Sequence, residues 1–350
     1  MRVHFPEEII IPVDIILQIL LRLPVKSAVK CTAVCKTWYA LIKDPSFISN
    51  HLQQAASLCD DLLLLRFTRD RREFYHLRRD NDAFEELKQL QVPFRCSWIF
   101  RLVGTCNGLV CLGDVHSDDH NIILWNPSIH KHFILPKPDF PFKSCEDSTL
   151  GFGFDPVSND YKVLLVVSQG DREELTEVWL FSLNRRSWMR LSGVSPKHCC
   201  YAYREASFVK VHFVPQMSLI KYEESIAVAS IGTFEDLDDN QLELWVMKEY
   251  GVDSSWTKVL HSIDENGELV FDSYLLAVIG VRKNGEVLLK VGEEHGIGYE
   301  LATLDLNCDQ QEQQLKRLGI RTDRSHSFVG NFVESVVLLD KGEQDAEEEV

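Results

Sequence analysis

No stretch of the 350-residue sequence comes near the run of about eighteen apolar residues that a membrane-spanning helix requires, so we expect no such helix. The first twelve residues, MRVHFPEEIIIP, lack the apolar core followed by small residues that marks a secretory signal. The ten cysteines form no CxxC pair, and several lie inside apolar runs such as LVCLG, as reduced thiols do in intracellular proteins. We therefore expect an intracellular protein of the cytoplasm and/or the nucleus.

Positive charge is scarce. The chain has 37 Lys and Arg residues against 53 Asp and Glu residues, a formal net charge of -16. Nucleic acids and anionic membranes both attract proteins through a positive field, so neither is expected as the main partner. The one basic run, RDRREFYHLRR at Arg69–Arg79, is interleaved with Asp70 and Glu73 and is typical of a solvated strand and turn.

The motifs of common catalytic sites are missing as well, since the sequence contains no GxSxG, no P-loop and no HExxH. His116 and His120 lie beside three aspartates in DVHSDDHN, where a metal site is conceivable but a solvated hairpin loop is the preferred interpretation. His198 precedes two cysteines, yet no base or orienting group stands near them in the sequence. We predict no catalytic residue, no cofactor and no metal site.

What the sequence does have is a helical pattern of unusual apolarity near its start. Pro12 and Asp14 are typical of the first turn of a helix. An apolar stripe at i, i+3, i+4 and i+7 follows, formed by Ile16, Ile19, Leu20 and Leu23. Residues outside the stripe are apolar too, namely Ile15, Leu17 and Leu21. One small neighbour cannot cover a helix that is apolar on nearly every side.

Two further short helices are predicted. Ser27 is a candidate N-cap for a helix that runs to about Val34, and a third helix includes Trp38 and ends at Asp44-Pro45. About forty residues cannot form a self-sufficient core. The surplus apolar surface is therefore covered either by a partner protein or by the rest of the chain, and the pattern alone leaves both open.

The run from Ile11 to Leu52 resembles an F-box. The matching features occur in the family's order and spacing: a Pro-x-Asp opening, an Ile-Leu pair, Arg-Leu-Pro-Val-Lys-Ser, Val-Cys-Lys-x-Trp, Leu-Ile and Asp-Pro-x-Phe. Two positions depart from the family pattern, because Ile11 replaces the usual Leu and Gln18 stands where Glu is common. The resemblance predicts a three-helix F-box module over residues 5–52.

This resemblance also implies a partner. F-box modules bind the small adaptor subunit of a cullin-RING ubiquitin ligase, and through it the cullin and RING subunits. By position in the motif, nine residues would supply the contacts: Ile11, Pro12, Ile16, Leu20, Leu23, Pro24, Val34, Cys35 and Trp38.

From about Asp60 onward the pattern changes to short apolar runs separated by turn residues, which predicts an all-β domain. A unit of about four strands recurs, with 54 residues from Trp125 to Trp179 and again 54 from Trp245 to Tyr299. Such a repeat is the signature of a β-propeller, and a β-sandwich is the alternative.

The details of this region resemble the F-box-associated domain of the large plant F-box family, which is similar to kelch-type propellers. The matching stretches include GTCNGLVC at 104–111, WNPS at 125–128 and GFGFDP at 151–156. The resemblance predicts a propeller-like domain over residues 58–340, and the acidic residues 341–350 are expected to be a disordered tail.

Between Trp179 and Trp245 the spacing is 66 residues, where the family usually has room for a further blade. His212-Phe213 is interpreted as the remnant of a shortened blade, with ordinary divergence as the alternative. The fold class is therefore a small all-α F-box module followed by an all-β propeller of about five to six blades, and a lost blade would put ring closure in doubt.

The function that follows from the resemblance is that of a substrate receptor in an SCF-type ubiquitin ligase, which has no catalytic activity of its own. The propeller would bind a protein target, whose identity and contact residues the sequence does not give, although the acidic charge favours a basic one. The alternatives are a propeller that is itself an enzyme or a lectin-like binder, and a degenerate product that binds the adaptor without delivering a target.

Overall fold

The computed structural model describes residues 11–58, 61–93, 100–113, 121–138, 145–169, 176–191, 216–222, 225–233, 240–249, 252–261, 275–292, 298–305, 314–323 and 327–338. The remnant predicted at His212-Phe213 and the tail at 341–350 lie outside these ranges. No helix within them is long and apolar enough to cross a membrane.

Four helices open the chain. They are α1 (Val13–Leu21), α2 (Val25–Cys31), α3 (Lys36–Lys43) and α4 (Pro45–Leu58). Helix α4 contacts both α1 and α3, and α2 contacts α3. The core of this helical module is formed by buried residues of all four: Leu20, Val25, Ala28, Ile42, Phe47 and Ile48. Buried His51 on α4 donates from Nε2 to the carbonyl of Leu23 (2.8 Å) and so ties α4 to the turn between α1 and α2.

Two details of the helices differ from the prediction. Helix α2 begins at Val25 and ends at Cys31, and the amide of Ser27, the predicted N-cap, donates to the carbonyl of Pro24 (2.8 Å) inside its first turn. Pro45, interpreted only as a stop signal, also occupies the first position of α4, a position that proline favours because its missing N–H is not needed there. The side chain of Asp44 accepts from the amide of Ser46 (2.8 Å) just before this helix.

The described strands form five four-stranded antiparallel sheets, which we call blades 1 to 5. Blade 1 consists of β20 (Phe328–Asn331), β1 (Leu62–Arg69), β2 (Arg72–Arg79) and β3 (Glu86–Leu90). Blade 2 consists of β4 (Arg101–Cys106), β5 (Leu109–Gly113), β6 (Ile122–Asn126) and β7 (Lys131–Ile134). Blade 3 consists of β8 (Cys145–Asp155), β9 (Asp160–Gln169), β10 (Thr176–Ser182) and β11 (Ser187–Leu191).

Blade 4 consists of β12 (Gln216–Tyr222), β13 (Ser225–Thr233), β14 (Asn240–Met247) and β15 (Trp256–His261). Blade 5 consists of β16 (Leu275–Val281), β17 (Glu286–Gly292), β18 (Tyr299–Asp305) and β19 (Lys316–Thr322). The innermost strands contact one another around an axis: β4 contacts β8 and β20, and β16 contacts β12 and β20. The fold is thus a propeller and not a sandwich, and the described strands make up five blades.

The ends of the chain meet in blade 1. Strand β20 pairs antiparallel with β1, from Leu63 opposite Asn331 to Arg66 opposite Phe328. Because side chains alternate along a strand, successive residues of β1 face the two different blades on either side of blade 1. Leu63, Leu65 and Phe67 share a buried cluster with residues of blade 5, whereas Leu64 belongs to the cluster shared with blade 2. The pairing joins the last blade to the first.

The antiparallel order also assigns each turn to one end of the propeller. In every blade the first strand ends and the second begins at the same end, where α4 leads into β1, and the third strand ends and the fourth begins there too. We call this the helix end. The second strand ends and the third begins at the opposite end, and in blade 1 the turn between them is the β1–β2 turn at Asp70-Arg71.

Residues Val333–Leu338, which we call the C-terminal strap, continue from β20 at the helix end. The side-chain amide of Asn126 donates to the carbonyls of Ser335 (3.0 Å) and Val337 (2.8 Å). Gly108 has a φ of +80°, and a Cβ there would come within 2.4 Å of the Ser335 hydroxyl, so only glycine fits beside the strap. Strap residues 336–338 belong to the same buried cluster as the core of the helical module.

Candidate partner-binding surface

Exposed apolar side chains are concentrated on the helical module. Ten large apolar residues are exposed in the part of the chain that the structure describes, and six of them lie between Ile11 and Tyr39. The six are Ile11, Val13, Ile15, Ile19, Val34 and Tyr39. The remaining four are dispersed over the first three blades, at Leu87, Ile134, Val157 and Met189. A local excess of this kind marks a protein–protein contact surface.

Helix α1 is apolar on two opposite sides. Leu20 is fully buried, and Ile16 packs beside it against the same core. Ile15 and Ile19 are one helical turn apart on the other side, and each leaves about half of its surface in solvent (51% and 50%). Of the stripe that the sequence predicts, Ile16 and Leu20 pack inward, whereas Ile19 is exposed together with Ile15.

A second exposed region lies where α2 turns into α3. Val34 is 62% exposed, and Cys35 and Tyr39 are also exposed. The amides of Thr32, Ala33 and Val34 each donate to the carbonyl three residues earlier, which fixes this turn. Cys35 Sγ accepts from the amide of Trp38 (3.5 Å) and caps α3. The turn borders a shallow depression of about 320 Å³ lined by Thr32, Ala33, Cys35, Lys36 and Tyr39.

The nine predicted contact residues divide by exposure. The exposed members are Ile11, Pro12, Pro24, Val34 and Cys35. The half-buried members, which pack against the module's core, are Ile16, Leu23 and Trp38. Leu20 is completely buried, so the structure gives it a role in packing inside the module and not on its surface. The roles of the other eight stay a prediction.

Four further exposed residues were missed by the sequence reasoning: Val13, Ile15, Ile19 and Tyr39. A signal for two of them was present. Ile11, Ile15 and Ile19 recur every four residues, a spacing that places residues on one side of a helix and turns Ile15 away from Leu20. These residues could have been recognised as a second apolar pattern.

The charge of the helical module differs from that of the whole chain. Residues 11–58 contain five basic side chains and two acidic ones, although the complete chain carries -16. Lys26, Lys30 and Lys36 are exposed around the apolar residues of α2 and α3. Hydrogen bonds from the hydroxyl and the amide of Ser46 hold the pKa of Asp44 below its usual value. The surface is thus apolar with a basic border, which suits an acidic partner.

The metal-site and thiol candidates of the sequence can be assessed only where the structure describes them. No group of three or more His, Cys, Asp or Glu side chains lies close enough among them to hold a metal ion. His116, His120 and the His198–Cys200 segment fall outside the described ranges. Cys111 is fully buried, and burial raises the pKa of its thiol well above the usual value, which disfavours the nucleophilic thiolate.

Comparison with protein-family models agrees with this architecture. A model described as "F-box-like" matches residues 9–54, and a model described as "F-box associated beta propeller domain" matches residues 62–209. The first match covers the four helices, and the second covers most of the first three blades.

Comparison with curated proteins finds similar chains in Arabidopsis thaliana. F-box protein CPR1 is 26% identical over 95% of this chain and 90% of its own length. F-box protein At4g22390 is also 26% identical, over 95% of this chain and 91% of its own length. F-box/kelch-repeat protein At3g23880 is 25% identical over 71% of this chain and 79% of its own length. With both family models matched in the same order as the two structural modules, the chain is a member of the plant F-box proteins that carry an F-box-associated β-propeller domain.

Proposed function

We propose that this protein is the substrate-recognition subunit of an SCF-type cullin-RING ubiquitin ligase in the cytoplasm and/or the nucleus. The observation that supports this most is the pair of exposed isoleucines on α1, Ile15 and Ile19, together with the exposed α2–α3 turn, which is bordered by basic residues. The adaptor subunit would cover this surface and connect it to the cullin and RING subunits. The propeller would bind the protein that is to be ubiquitinated and degraded.

In this proposal the chain contributes proximity and no chemistry of its own. Holding a target beside a charged conjugating enzyme raises the effective concentration of its lysines without any catalytic residue in the receptor. The arrangement of the modules supports this role. The helical module lies at one end of the propeller, so a target bound at the opposite end would leave the adaptor-binding surface free.

The adaptor contact can be tested by reversing the character of the two exposed isoleucines of α1. The double variant Ile15→Asp/Ile19→Asp is expected to bind the purified adaptor at least about 100-fold more weakly than the wild type. Two isoleucines that are half exposed in the free protein would lose their burial, at about 1–1.5 kcal/mol each, and two carboxylates would be desolvated. Titration calorimetry with the purified adaptor measures the change.

The propeller offers a matched control in Ile134 and Met189, which are 40% and 47% exposed on the outer strands of blades 2 and 3. The variant Ile134→Asp/Met189→Asp should bind the adaptor like the wild type. Circular dichroism checks that both variants are folded. Undiminished adaptor binding by the α1 variant, or an equal loss in the control, would show that the adaptor contact lies elsewhere.

Target delivery is tested with the same variants. Affinity capture from plant tissue with the proteasome blocked should recover target proteins with the wild type and with Ile15→Asp/Ile19→Asp, because the propeller is unchanged. Adaptor, cullin and RING subunits should be recovered with the wild type alone. The captured targets should carry ubiquitin only in the wild-type sample. If adaptor is recovered but no ubiquitinated protein, the chain binds the adaptor without delivering a target, and the receptor function is rejected.

A further inference from the structure

Three lysines surround the exposed turn between α2 and α3. Lys26 and Lys30 lie one helical turn apart on α2, and Lys36 is the first residue of α3. All three are exposed. None of their side-chain amines makes an ion pair or a hydrogen bond with another of the residues that the structure describes. The turn therefore carries positive charge that has no ion-pair partner among those residues.

Direct contacts join these lysines into one continuous surface. The amide of Ala33 donates to the carbonyl of Lys30 (3.1 Å), and Ala33 lines the shallow depression together with Lys36 and Tyr39. Lys43 donates from Nζ to the hydroxyl of Tyr39 (2.6 Å), and the same amine lies 4.5 Å from the centre of the Tyr39 ring. We call this region the α2–α3 surface, and its members are Lys26, Lys30, Val34, Lys36, Tyr39 and Lys43.

The helices that form the α2–α3 surface contain no acidic residue of their own. Residues 15–43 include five basic side chains and no Asp or Glu. The flanking carboxylates lie on the neighbouring helices: Asp14 is in the first turn of α1, and Asp44 accepts from the amide of Ser46 (2.8 Å) at the start of α4. An anionic occupant of the α2–α3 surface would therefore meet no carboxylate within α2 or α3.

A segment of the same chain carries the opposite charge. Residues 339–350, which follow the C-terminal strap and which we call the C-terminal acidic segment, include six acidic residues and one lysine. Three of the acidic residues are consecutive, at Glu347, Glu348 and Glu349. The helical module has the reverse balance, with five basic and two acidic side chains in residues 11–58. Opposite charges of this kind attract each other across the surface of a protein, and salt weakens the attraction.

The C-terminal acidic segment begins at the buried cluster that the helical module shares with the propeller. Leu338, the residue before the segment, is buried and belongs with Val336 and Val337 to the cluster that contains the core of the module. Twelve extended residues span up to about 40 Å. The longest helix of the module, α4, has 14 residues, which makes it about 21 Å long. The segment is thus long enough to reach the α2–α3 surface from Leu338.

We propose that the C-terminal acidic segment docks on the α2–α3 surface and competes with the adaptor for it. This inference deepens the proposed function, because it names a regulator of the adaptor-binding surface within the same chain. Each exposed ion pair between a glutamate and a lysine contributes little by itself. Tethering compensates for this, because it gives the segment an effective concentration in the millimolar range. The adaptor has to displace the segment, which lowers the apparent affinity of the adaptor.

Hydrogen exchange on the full-length protein tests the docking without any adaptor. The amides of residues 30–39 should exchange at least about twofold more slowly in the wild type than in the variant Glu347→Gln/Glu348→Gln/Glu349→Gln. The conservative variant Glu347→Asp/Glu348→Asp/Glu349→Asp keeps the charge and should exchange like the wild type. Sodium chloride at about 0.5 M should remove the difference, because salt screens exposed charges.

A second pair of variants identifies the surface on which the segment docks. In the background Lys26→Gln/Lys30→Gln, the exchange difference between glutamate and glutamine at 347–349 should disappear. Arg185 and Arg186 form an exposed basic pair on the β10–β11 turn at the helix end, and Arg185→Gln/Arg186→Gln should leave the difference in place. The proposal is overturned if the wild type and the glutamine variant exchange alike, or if the difference depends on Arg185 and Arg186 instead.

Titration calorimetry with the purified adaptor tests the competition. The variant Glu347→Gln/Glu348→Gln/Glu349→Gln should bind the adaptor at least about threefold more tightly than the wild type. Asp70→Asn/Asp82→Asn/Glu249→Gln makes the same change of net charge at exposed positions of the propeller and should bind like the wild type. Unchanged affinity in the first variant, or an equal gain in the second, would overturn the competition. If the adaptor binds none of these proteins, the proposed function has failed, and hydrogen exchange still decides whether the segment docks.

Discussion

Replacing Arg282 with methionine is expected to lower the free energy of unfolding by about 3–5 kcal/mol, because it leaves a buried carboxylate without its counter-charge. Arg282 Nε donates to Asp80 Oδ1 (2.7 Å), and both side chains are only 2% exposed. The same guanidinium pairs with Glu286 and donates to the carbonyl of Asn81 (2.5 Å). Few ion pairs in the described structure are so completely removed from water.

Because of where this ion pair lies, its removal is expected to destabilise more of the protein than the immediate surroundings of Arg282. Arg282 lies in the β16–β17 turn of blade 5, and Asp80 follows β2 of blade 1. The contact therefore joins the last blade to the first, as the pairing of β20 with β1 does. Losing it weakens the closure of the ring, on which the packing of both blades depends.

Urea denaturation followed by tryptophan fluorescence measures the change. The control is Arg190→Met, which removes an ion pair of similar length (3.1 Å) whose arginine is 62% exposed. It should cost no more than about 1 kcal/mol, since exposed pairs contribute little. Adding Asp80→Asn to Arg282→Met should restore part of the stability by removing the uncompensated charge. Equal destabilisation by Arg282→Met and Arg190→Met would refute the role assigned to the buried pair.

The second large effect is expected at Asn126, whose replacement by alanine should destabilise the protein by about 3–4 kcal/mol. Asn126 is fully buried and donates to the carbonyls of Ser335 and Val337, while its Oδ1 accepts from the amide of Ser128 (2.9 Å). Without the side chain these buried backbone groups lose their partners, at about 1–3 kcal/mol for each group left unsatisfied. Among the residues that the structure describes, only apolar contacts would then hold the C-terminal strap.

Asn184→Ala is the matched control, because the Asn184 side chain donates one exposed hydrogen bond, to the carbonyl of Asn159 (3.0 Å). Urea denaturation should show a loss below about 1.5 kcal/mol for this variant. Gly108→Ala should perturb the same strap, because the added methyl group would clash with Ser335. It should increase hydrogen exchange at residues 333–338, as Asn126→Ala should. Unchanged exchange there in both variants would contradict the anchoring role of Asn126.

Much of the architecture can be predicted from the sequence, because it depends on local patterns that repeat. The recurring spacing between Trp125 and Trp179 and between Trp245 and Tyr299 indicates four-stranded units, and the structure confirms the propeller. The fourth helix was missed for a local reason too. Asp44-Pro45 ends one helix and begins the next, and a proline signal alone does not distinguish a stop from a first position.

The candidate surface could be predicted only in part, because α1 is apolar on both sides. Which side is buried depends on α4, which supplies Phe47 and Ile48 to the core that receives Leu20. Without that helix, Leu20 and Ile19 are equivalent in the sequence. The conformation of the β1–β2 turn has a similar origin, since the amide of Arg71 is held by Asp323, 252 residues away. No pattern within the hairpin itself indicates that contact.

The pairing of β1 with β20 has a consequence for synthesis. Translation proceeds at roughly 5–20 residues per second, so β1 leaves the ribosome tens of seconds before the strand that covers its inner edge. During that interval the unpaired backbone groups of β1 can pair with a wrong strand, so we expect a chaperone to bind β1 until β20 is made. An mRNA truncated before the codon for Phe328 would encode the helical module followed by a propeller that lacks β20. Such a product could bind the adaptor without binding a target.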